Sequence, residues 1–140
     1  MHRPEQVEVV TGSGDLYVAP SGIQGNGVFA ARAFETGDLV ERAPVLVCPA
    51  PQESLLEETD LWGFYFDWGG GAVAIALGFG SLYNHAWRAN CRYEHDVELG
   101  IVDFYAVRPI TPGEEVTVNY TGDPDGTGEL WFSTDDPPPS

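Results

Sequence analysis

The chain has 140 residues, 43% of them hydrophobic, and its 22 acidic and 6 basic residues give a formal net charge of −16. This length fits one domain with a sizeable core. A chain so acidic should repel nucleic acid and anionic membranes and attract cationic partners, although solubility or adaptation to a salty cytoplasm would explain the charge equally well. All six basic residues are arginines, so the chain contains no lysine.

Targeting and redox features are plain. There is no apolar run long enough to cross a membrane, and the N-terminus lacks the basic-then-apolar pattern of a signal peptide. We therefore predict a cytoplasmic protein. Cys48 and Cys91 cannot build a disulfide framework or a cysteine zinc site, and we expect two small buried apolar side chains; a disulfide between them stays open.

Short apolar runs alternate with Gly/Pro turns along the chain, a pattern typical of β-structure. One short helix is predicted over Ser54–Thr59, where Ser54 and Glu57 are spaced as a capping box. The predicted strands are Val7–Val10, Leu16–Ala19, Val28–Ala31, Leu39–Val47, Phe64–Asp67, Ala72–Leu77, Cys91–His95, Ile101–Val107 and Val116–Asn119.

The composition changes near the C-terminus. From Gly122 onward the chain is acidic, rich in Gly and Pro and sparse in apolar residues, with Trp131-Phe132 as its only large aromatic anchor. We therefore expect one domain over residues 1–123 and an acidic tail over 124–140.

Two glycine- and asparagine-bearing motifs could carry chemistry. In Gly25-Asn26-Gly27 the glycines allow a tight turn and close approach to a ligand, although a bare hairpin turn is the more frequent meaning of such a pattern. Asn84-His85, followed by Asn90, places polar side chains after an apolar, glycine-rich run. An asparagine amide offers the donor and acceptor that an α-amino-carboxylate group requires, although satisfying a buried loop is the more frequent role of an isolated Asn-His pair. His85 forms no recognisable metal-ligand set, and we predict no metal site.

Aromatic residues form the remaining candidates. Tyr120 ends the last predicted strand, and Tyr93 follows Asn90; in isolation either could be an ordinary strand aromatic. A dense run lies near the middle of the chain, and alternate members should face opposite sides of a strand. We expect most of the run in the core, while the other face could line a channel; its members are Trp62, Phe64, Tyr65, Phe66 and Trp68.

Taken together, these segments resemble the SET-domain family of protein-lysine methyltransferases. The resemblance spans about Leu16 to Gly122. It rests on four motifs in family order: Gly25-Asn26-Gly27-Val28-Phe29-Ala30; the turn and strand Ala33–Glu41; Asn84, His85 and Asn90 of the family's N-H-S-x-x-P-N; and Gly113-Glu114-Glu115-Val116-Thr117-Val118-Asn119-Tyr120.

The chain departs from the family pattern at three points. Ala86 and Ala89 replace the Ser and Pro of the third motif. The tyrosine that many members carry after the early strand glutamate is missing, since Arg42 follows Glu41. The cysteine-rich zinc modules that flank many eukaryotic members are absent, so the chain looks like the minimal SET proteins of bacteria and large DNA viruses.

The resemblance implies a mainly β fold, the SET-domain β-clip of several small curved sheets with a C-terminal pseudo-knot and one or two short helices. It also implies S-adenosyl-L-methionine as cofactor and a protein lysine as acceptor. On the cofactor side, the Gly25-Asn26-Gly27 backbone and Asn84 would hold the methionine part, and the His85 main chain would bond the adenine. Trp131 would stack on the adenine or close the lysine channel.

On the substrate side, the resemblance implies that Tyr120 points its hydroxyl at the transferring methyl group. Tyr93 would line the lysine channel and orient the amine, with Tyr65 and Phe132 as further channel residues. The attacking amine must be neutral, although a free lysine has a pKa of about 10.4. A narrow aromatic channel disfavours the charged form by desolvation.

The acidic surface would favour a lysine in a basic protein, such as a histone-like or ribosomal protein. We expect no direct nucleic-acid or membrane partner, and a homodimer is compatible with a groove that a neighbour completes. One alternative function is a catalytically weak SET-fold module that binds basic peptides. Another is an unrelated acidic β-domain whose motifs match by chance. The protein substrate and the degree of methylation stay open at this point.

Overall fold

The computed structural model describes residues 14–123, and nine β-strands make up most of its regular structure. No helix in this part of the chain is long and apolar enough to cross a membrane. The strands are β1 Leu16–Pro20, β2 Asn26–Ala30, β3 Leu39–Cys48, β4 Tyr65–Gly69, β5 Ala72–Ala76, β6 Asn84–His85, β7 Cys91–Asp96, β8 Ile101–Ala106 and β9 Glu115–Val118.

The strands pair along one open path in the order β1-β2-β9-β7-β8-β3-β5-β4, and β6 pairs with β9 off this path. Most neighbours are antiparallel, as short turns between consecutive strands allow. β9 is the exception, because it is antiparallel to β2 and parallel to β6 and β7. β9 is thereby inserted between β2 on one side and β6 and β7 on the other, although β7 ends 19 residues before β9 begins.

The mainly β class is confirmed, and eight of the nine predicted strands correspond to β1–β5 and β7–β9. The ninth, Val7–Val10, lies outside the described residues, as does the tail boundary after residue 123. The missed strand is β6, whose two residues carry no β-pattern of their own and become a strand only by pairing with β9.

The predicted helix is shorter than expected and lacks its capping box. A 3₁₀ turn at Ala50–Gln52 leads into α1, Glu53–Leu56, and the N-cap residue Gln52 makes no side-chain cap bond. Pro51 in the first turn fixes a helical φ. The chain therefore turns before Ser54, which is the second residue of α1 and so is not its N-cap.

The core lies between the curved strands and follows their alternation. Its largest fully buried side chains are Tyr83, Phe34, Phe104, Leu16 and Ile110. Phe104 on β8 is tilted against Tyr83, with ring centroids 4.6 Å apart. This packing fixes the segment just before β6, which matters for the site below.

Both cysteines are free, and only one of them fits the expectation of a buried thiol. Cys91 is fully buried, and burial raises the pKa of its thiol to about 12, so it is inert at neutral pH. Cys48 is only half-buried at the end of β3, because that strand leaves the core there.

Candidate active site

The parallel pairing of β6 with β9 brings the two most specific motifs together. Asn84 lies opposite Thr117 and His85 opposite Val118. Cys91, just past Asn90, also pairs with Val118. Residues about 30 positions apart in sequence therefore form one site.

The Asn90 side chain joins its own segment to β9 by hydrogen bonds. It is 2% exposed; its amide Nδ2 donates to the Glu115 carbonyl at 2.8 Å, and its Oδ1 accepts from the Thr117 N–H at 2.9 Å. A buried asparagine thus replaces a pair of ladder bonds between the two chain segments.

Asn84 forms the centre of an acceptor-rich cradle between the β1–β2 turn and β9. Its Nδ2 lies 3.1 Å from the Gln24 carbonyl, 3.3 Å from the Asn26 carbonyl and 2.9 Å from Glu115 Oε2. Ser21 Oγ donates to the other Glu115 oxygen at 2.6 Å. An amide NH₂ has only two protons, so three acceptors exceed its capacity. The cradle therefore suits a further cationic donor such as an α-ammonium group.

Gly27 is required here by close approach rather than by its backbone angle. A Cβ at this position would collide with Glu115 Oε2 and lie 3.0 Å from Asn84 Nδ2. The other two residues of the predicted motif precede Gly27 directly. Gly25 ends the turn with φ 49°, and its carbonyl accepts a hydrogen bond from the Ser21 N–H at 2.8 Å. Asn26 is the first residue of β2. Gly25 thus belongs to the turn, while Asn26 and Gly27 already lie in β2.

His85 contributes its side chain as well as its main chain. Nδ1 accepts a hydrogen bond from the Tyr120 N–H at 3.0 Å, which assigns the ring proton to Nε2. The ring is also packed edge-on against Trp87, with centroids 4.5 Å apart, and lies 5.3 Å from the Tyr120 ring. The imidazole therefore positions Tyr120, a role that the motif alone did not indicate.

The hydroxyl of Tyr120 donates to the Tyr83 carbonyl at 2.6 Å. Burial raises the pKa of Tyr120 to about 12, and the nearby Tyr93 and Glu115 act in the same direction. Tyr120 is therefore neutral at physiological pH and cannot act as a general base. With its proton committed to a carbonyl, its oxygen offers only lone pairs to a reacting group.

A cleft of about 950 Å³ opens beside Tyr120, and it is lined by three tyrosines that the sequence indicated: Tyr65, Tyr93 and Tyr120. Phe66 on β4 is packed edge-on against Tyr93, with centroids 5.1 Å apart. Burial also raises the pKa of Tyr93. The cleft is thus a partly desolvated aromatic channel.

The structure corrects the expected core position for two of the aromatic residues. Trp62 and Phe64 precede β4 and are 43% and 46% exposed, so the expected core position is wrong for them. Trp68 is buried and Phe66 packs against the core, as the β4 alternation requires. Trp131 and Phe132, predicted at the cofactor and the channel, lie outside the described residues.

The structure also adds residues that sequence reasoning missed. Ser21 and Glu115 shape the cradle, and Tyr83 supplies the carbonyl for Tyr120. Glu115 lies inside the last motif, yet nothing in the sequence pairs it with Asn84, because the pairing depends on the parallel register of β6 and β9.

Comparisons with known proteins agree with this geometry. The family model of the SET domain matches residues 25–121. A histone-lysine N-methyltransferase of Schizosaccharomyces pombe, specific for H3 lysine 37, is 31% identical over 110 residues, which cover 78% of this chain and 71% of that protein.

Solved structures show the same fold. A crystal structure of a candidate histone methyltransferase from Plasmodium falciparum superposes with a TM-score of 0.64 at 22% identity, covering 86% of this chain and 99% of that one. A structure of polycomb repressive complex 2 of Chaetomium thermophilum, bound to S-adenosylmethionine, superposes with a TM-score of 0.65 at 20% identity, covering 78% of this chain and 15% of that one. The chain belongs to the SET-domain family of S-adenosylmethionine-dependent protein-lysine N-methyltransferases.

Proposed function

We propose that this enzyme methylates a lysine in a basic protein or peptide, with its donor held at the Asn84 cradle and its acceptor lysine in the aromatic cleft. The observation that carries the proposal is that Tyr120 connects the two places. Its ring faces the cleft with Tyr65 and Tyr93, and its N–H bonds His85, the neighbour of Asn84. Donor and acceptor would thus meet at one phenol.

On the donor side, bound S-adenosylmethionine supplies a methyl group activated by a sulfonium. The Gln24 and Asn26 carbonyls and the Glu115 carboxylate would accept hydrogen bonds from its α-ammonium, and Asn84 would orient this group. Gly27 lets the Glu115 carboxylate and the Asn84 amide approach β2 closely because it lacks a side chain. The His85 main chain would bond the adenine, and Trp131 would cover it.

On the acceptor side, Tyr65, Tyr93 and Phe66 would desolvate the lysine amine and lower its pKa, so that a neutral amine attacks. The Tyr120 oxygen, an acceptor only, would contact the polarised methyl C–H groups. These contacts favour an in-line approach without needing a base or a metal. Phe132 would complete the channel.

Charge favours a basic substrate. A second cavity of about 620 Å³ shares Tyr65 and Asp67 with the cleft, and it also contains Glu53 and Glu57. Burial and these two glutamates raise the pKa of Tyr65, which places their negative potential at the channel wall. Cationic residues beside the acceptor lysine would meet this potential. The name of the Schizosaccharomyces pombe relative supports a histone-like acceptor.

A pair of peptides tests the substrate class: one lysine flanked by arginines, and the same peptide with glutamines in their place. We expect kcat/KM to be higher for the arginine peptide and the advantage to fall with added salt, since screening weakens exposed charge pairs. Replacing Glu53 and Glu57 by Gln together should reduce the preference by about 2- to 5-fold.

Glu35→Gln is the matched control, because Glu35 is exposed and lines neither cavity. Equal kcat/KM for the two peptides at low salt would refute the basic-substrate proposal. A cytoplasmic location and a homodimer remain predictions from the sequence, which cell fractionation and light scattering would test.

A further inference from the structure

A carboxylate with no evident role in the site lies on β3, and it shares a hydrogen-bond partner, Tyr83, with Tyr120. Glu41 is partly buried, and both of its oxygens accept hydrogen bonds from the segment before β6: Oε2 from the Phe79 N–H at 2.9 Å and Oε1 from the Tyr83 hydroxyl at 2.7 Å. Both donors are neutral, whereas the neighbouring Arg42 pairs with Asp103 on β8. Burial raises the pKa of Glu41, so the carboxylate is held at a desolvation cost.

The turn before β6 is shaped to receive this carboxylate. Gly78 has φ +61°, and a Cβ there would lie 2.5 Å from Glu41 Oε2. A side chain at position 78 would thus both strain the backbone and displace the carboxylate. Glu41 contacts the start of the Gly78–Tyr83 segment at Gly78 and Phe79 and its end at the Tyr83 hydroxyl. Glu41 therefore holds both ends of this segment.

The same segment holds Tyr120. The Tyr83 carbonyl accepts the Tyr120 hydroxyl at 2.6 Å, while the Tyr83 hydroxyl donates to Glu41 at 2.7 Å. Tyr83 is 2% exposed and its ring packs against Phe104, so a displacement of its side chain would also displace its main chain. One residue therefore links the Glu41 carboxylate to the Tyr120 hydroxyl.

We propose that Glu41 is a positioning residue for methyl transfer: through the Gly78–Tyr83 segment it sets the Tyr83 carbonyl, and thereby the direction of the lone pairs on the Tyr120 oxygen. This role rests on the proposed function of Tyr120. Glu41 does not touch donor or acceptor. It acts on the one hydrogen bond that decides whether the phenol presents lone pairs or a proton to the methyl group.

Glu41→Gln tests the proposal with little change in volume. The amide oxygen can keep the Phe79 N–H, but the NH₂ can only donate, so the Tyr83 hydroxyl would have to accept from it and its own buried proton would lose its acceptor. The turn then relaxes at one end. We expect kcat to fall about tenfold, equivalent to about 1.4 kcal/mol, with the dissociation constant of S-adenosylmethionine unchanged. Tyr83→Phe should lower kcat in the same way, because it removes the bond to Glu41 and leaves the carbonyl.

A double-mutant cycle with Tyr120→Phe separates positioning from general stability. If Glu41 acts through the Tyr120 hydroxyl, Glu41→Gln has no further effect on kcat in the Tyr120→Phe background. Asp103→Asn is the matched control: it removes a carboxylate bonded to the next residue of β3, and it should lower the melting temperature without changing kcat.

An NMR measurement on the enzyme alone tests the role of Glu41 without any methyl-acceptor substrate. In protein with isotope-labelled tyrosine, the Tyr120 side-chain NMR signal, assigned by its loss in Tyr120→Phe, should shift in Glu41→Gln and Tyr83→Phe but not in Asp103→Asn. If the wild type transfers no methyl group while this pattern appears, the substrate assignment fails and the positioning link stands. Unshifted Tyr120 signals in both variants, or a tenfold loss of kcat that persists in the Tyr120→Phe background, would overturn the proposal.

Discussion

The substitution Gly27→Ala should specifically impair donor binding. The added Cβ would collide with Glu115 Oε2 and lie 3.0 Å from Asn84 Nδ2, and Gly27 is buried on β2, so the backbone cannot yield easily. Glu115 would have to swing away from both Ser21 Oγ and Asn84, which it meets at 2.6 Å and 2.9 Å.

The contact that donor binding would lose is the one from its α-ammonium to the displaced Glu115 carboxylate. A hydrogen bond to a charged group contributes about 1.5–3 kcal/mol, and Glu115 is only partly buried, so we take about 2 kcal/mol for this contact. That corresponds to about a 30-fold weaker dissociation constant for S-adenosylmethionine. Gly27 has no left-handed φ, so the loss would be steric rather than conformational.

The chain supplies a matched control in the same hairpin. A Cβ at Gly22 would meet nothing within 4 Å, and its backbone is not left-handed. Calorimetric titration of wild type, Gly27→Ala and Gly22→Ala with S-adenosylmethionine should show the loss only for Gly27→Ala. Equal affinity of all three proteins would refute the assignment of the cradle, and so would an equal loss in both variants.

Three further outcomes follow from single contacts. Asn84→Ala should weaken donor binding by about tenfold in the same titration, because the cradle loses the amide that orders its acceptors. Asn90→Ala should lower the free energy of unfolding by about 2–4 kcal/mol in urea denaturation, since it leaves the Thr117 N–H and the Glu115 carbonyl without partners. A smaller change would mean that these two Asn90 hydrogen bonds are not needed for stability. Because burial raises the pKa of Tyr120 from 10.0 to about 12, the stability linked to its neutral phenol is present below pH 10 and is lost as the pH rises towards 12. Wild type should therefore lose more stability than Tyr120→Phe between pH about 8 and pH about 11, and parallel losses would contradict the buried position of the phenol.

Local sequence patterns predicted the strands well because their alternation and turn residues are local properties. β3 and β8, for example, carry long β-favouring runs and have nearly the predicted bounds. Asn84-His85 has no such pattern, and its strand exists only because β9 returns beside it. The predicted start of the helix was wrong for a local reason, because Pro51 begins the turn before the apparent N-cap at Ser54.

The site was predictable to the extent that motifs name residues. Gly27, Asn84 and Tyr120 were found in this way, and the structure places them along one connected arrangement. Their partners were not predictable, because Glu115 reaches Asn84 only through the sheet register, and Tyr83 reaches Tyr120 only through its carbonyl. A main-chain acceptor carries no residue signature, so no sequence pattern can reveal it.

The most direct test of the account is methyl transfer from labelled S-adenosylmethionine to a panel of basic proteins and lysine peptides, comparing wild type with Tyr120→Phe. The chain contains no lysine, so label on lysine cannot come from the enzyme itself. We predict lysine methylation by wild type and a fall in kcat of about 100-fold in the variant, with donor binding retained. Equal rates for the two proteins would contradict the role of Tyr120, and absence of donor binding by wild type would contradict the proposed cofactor site.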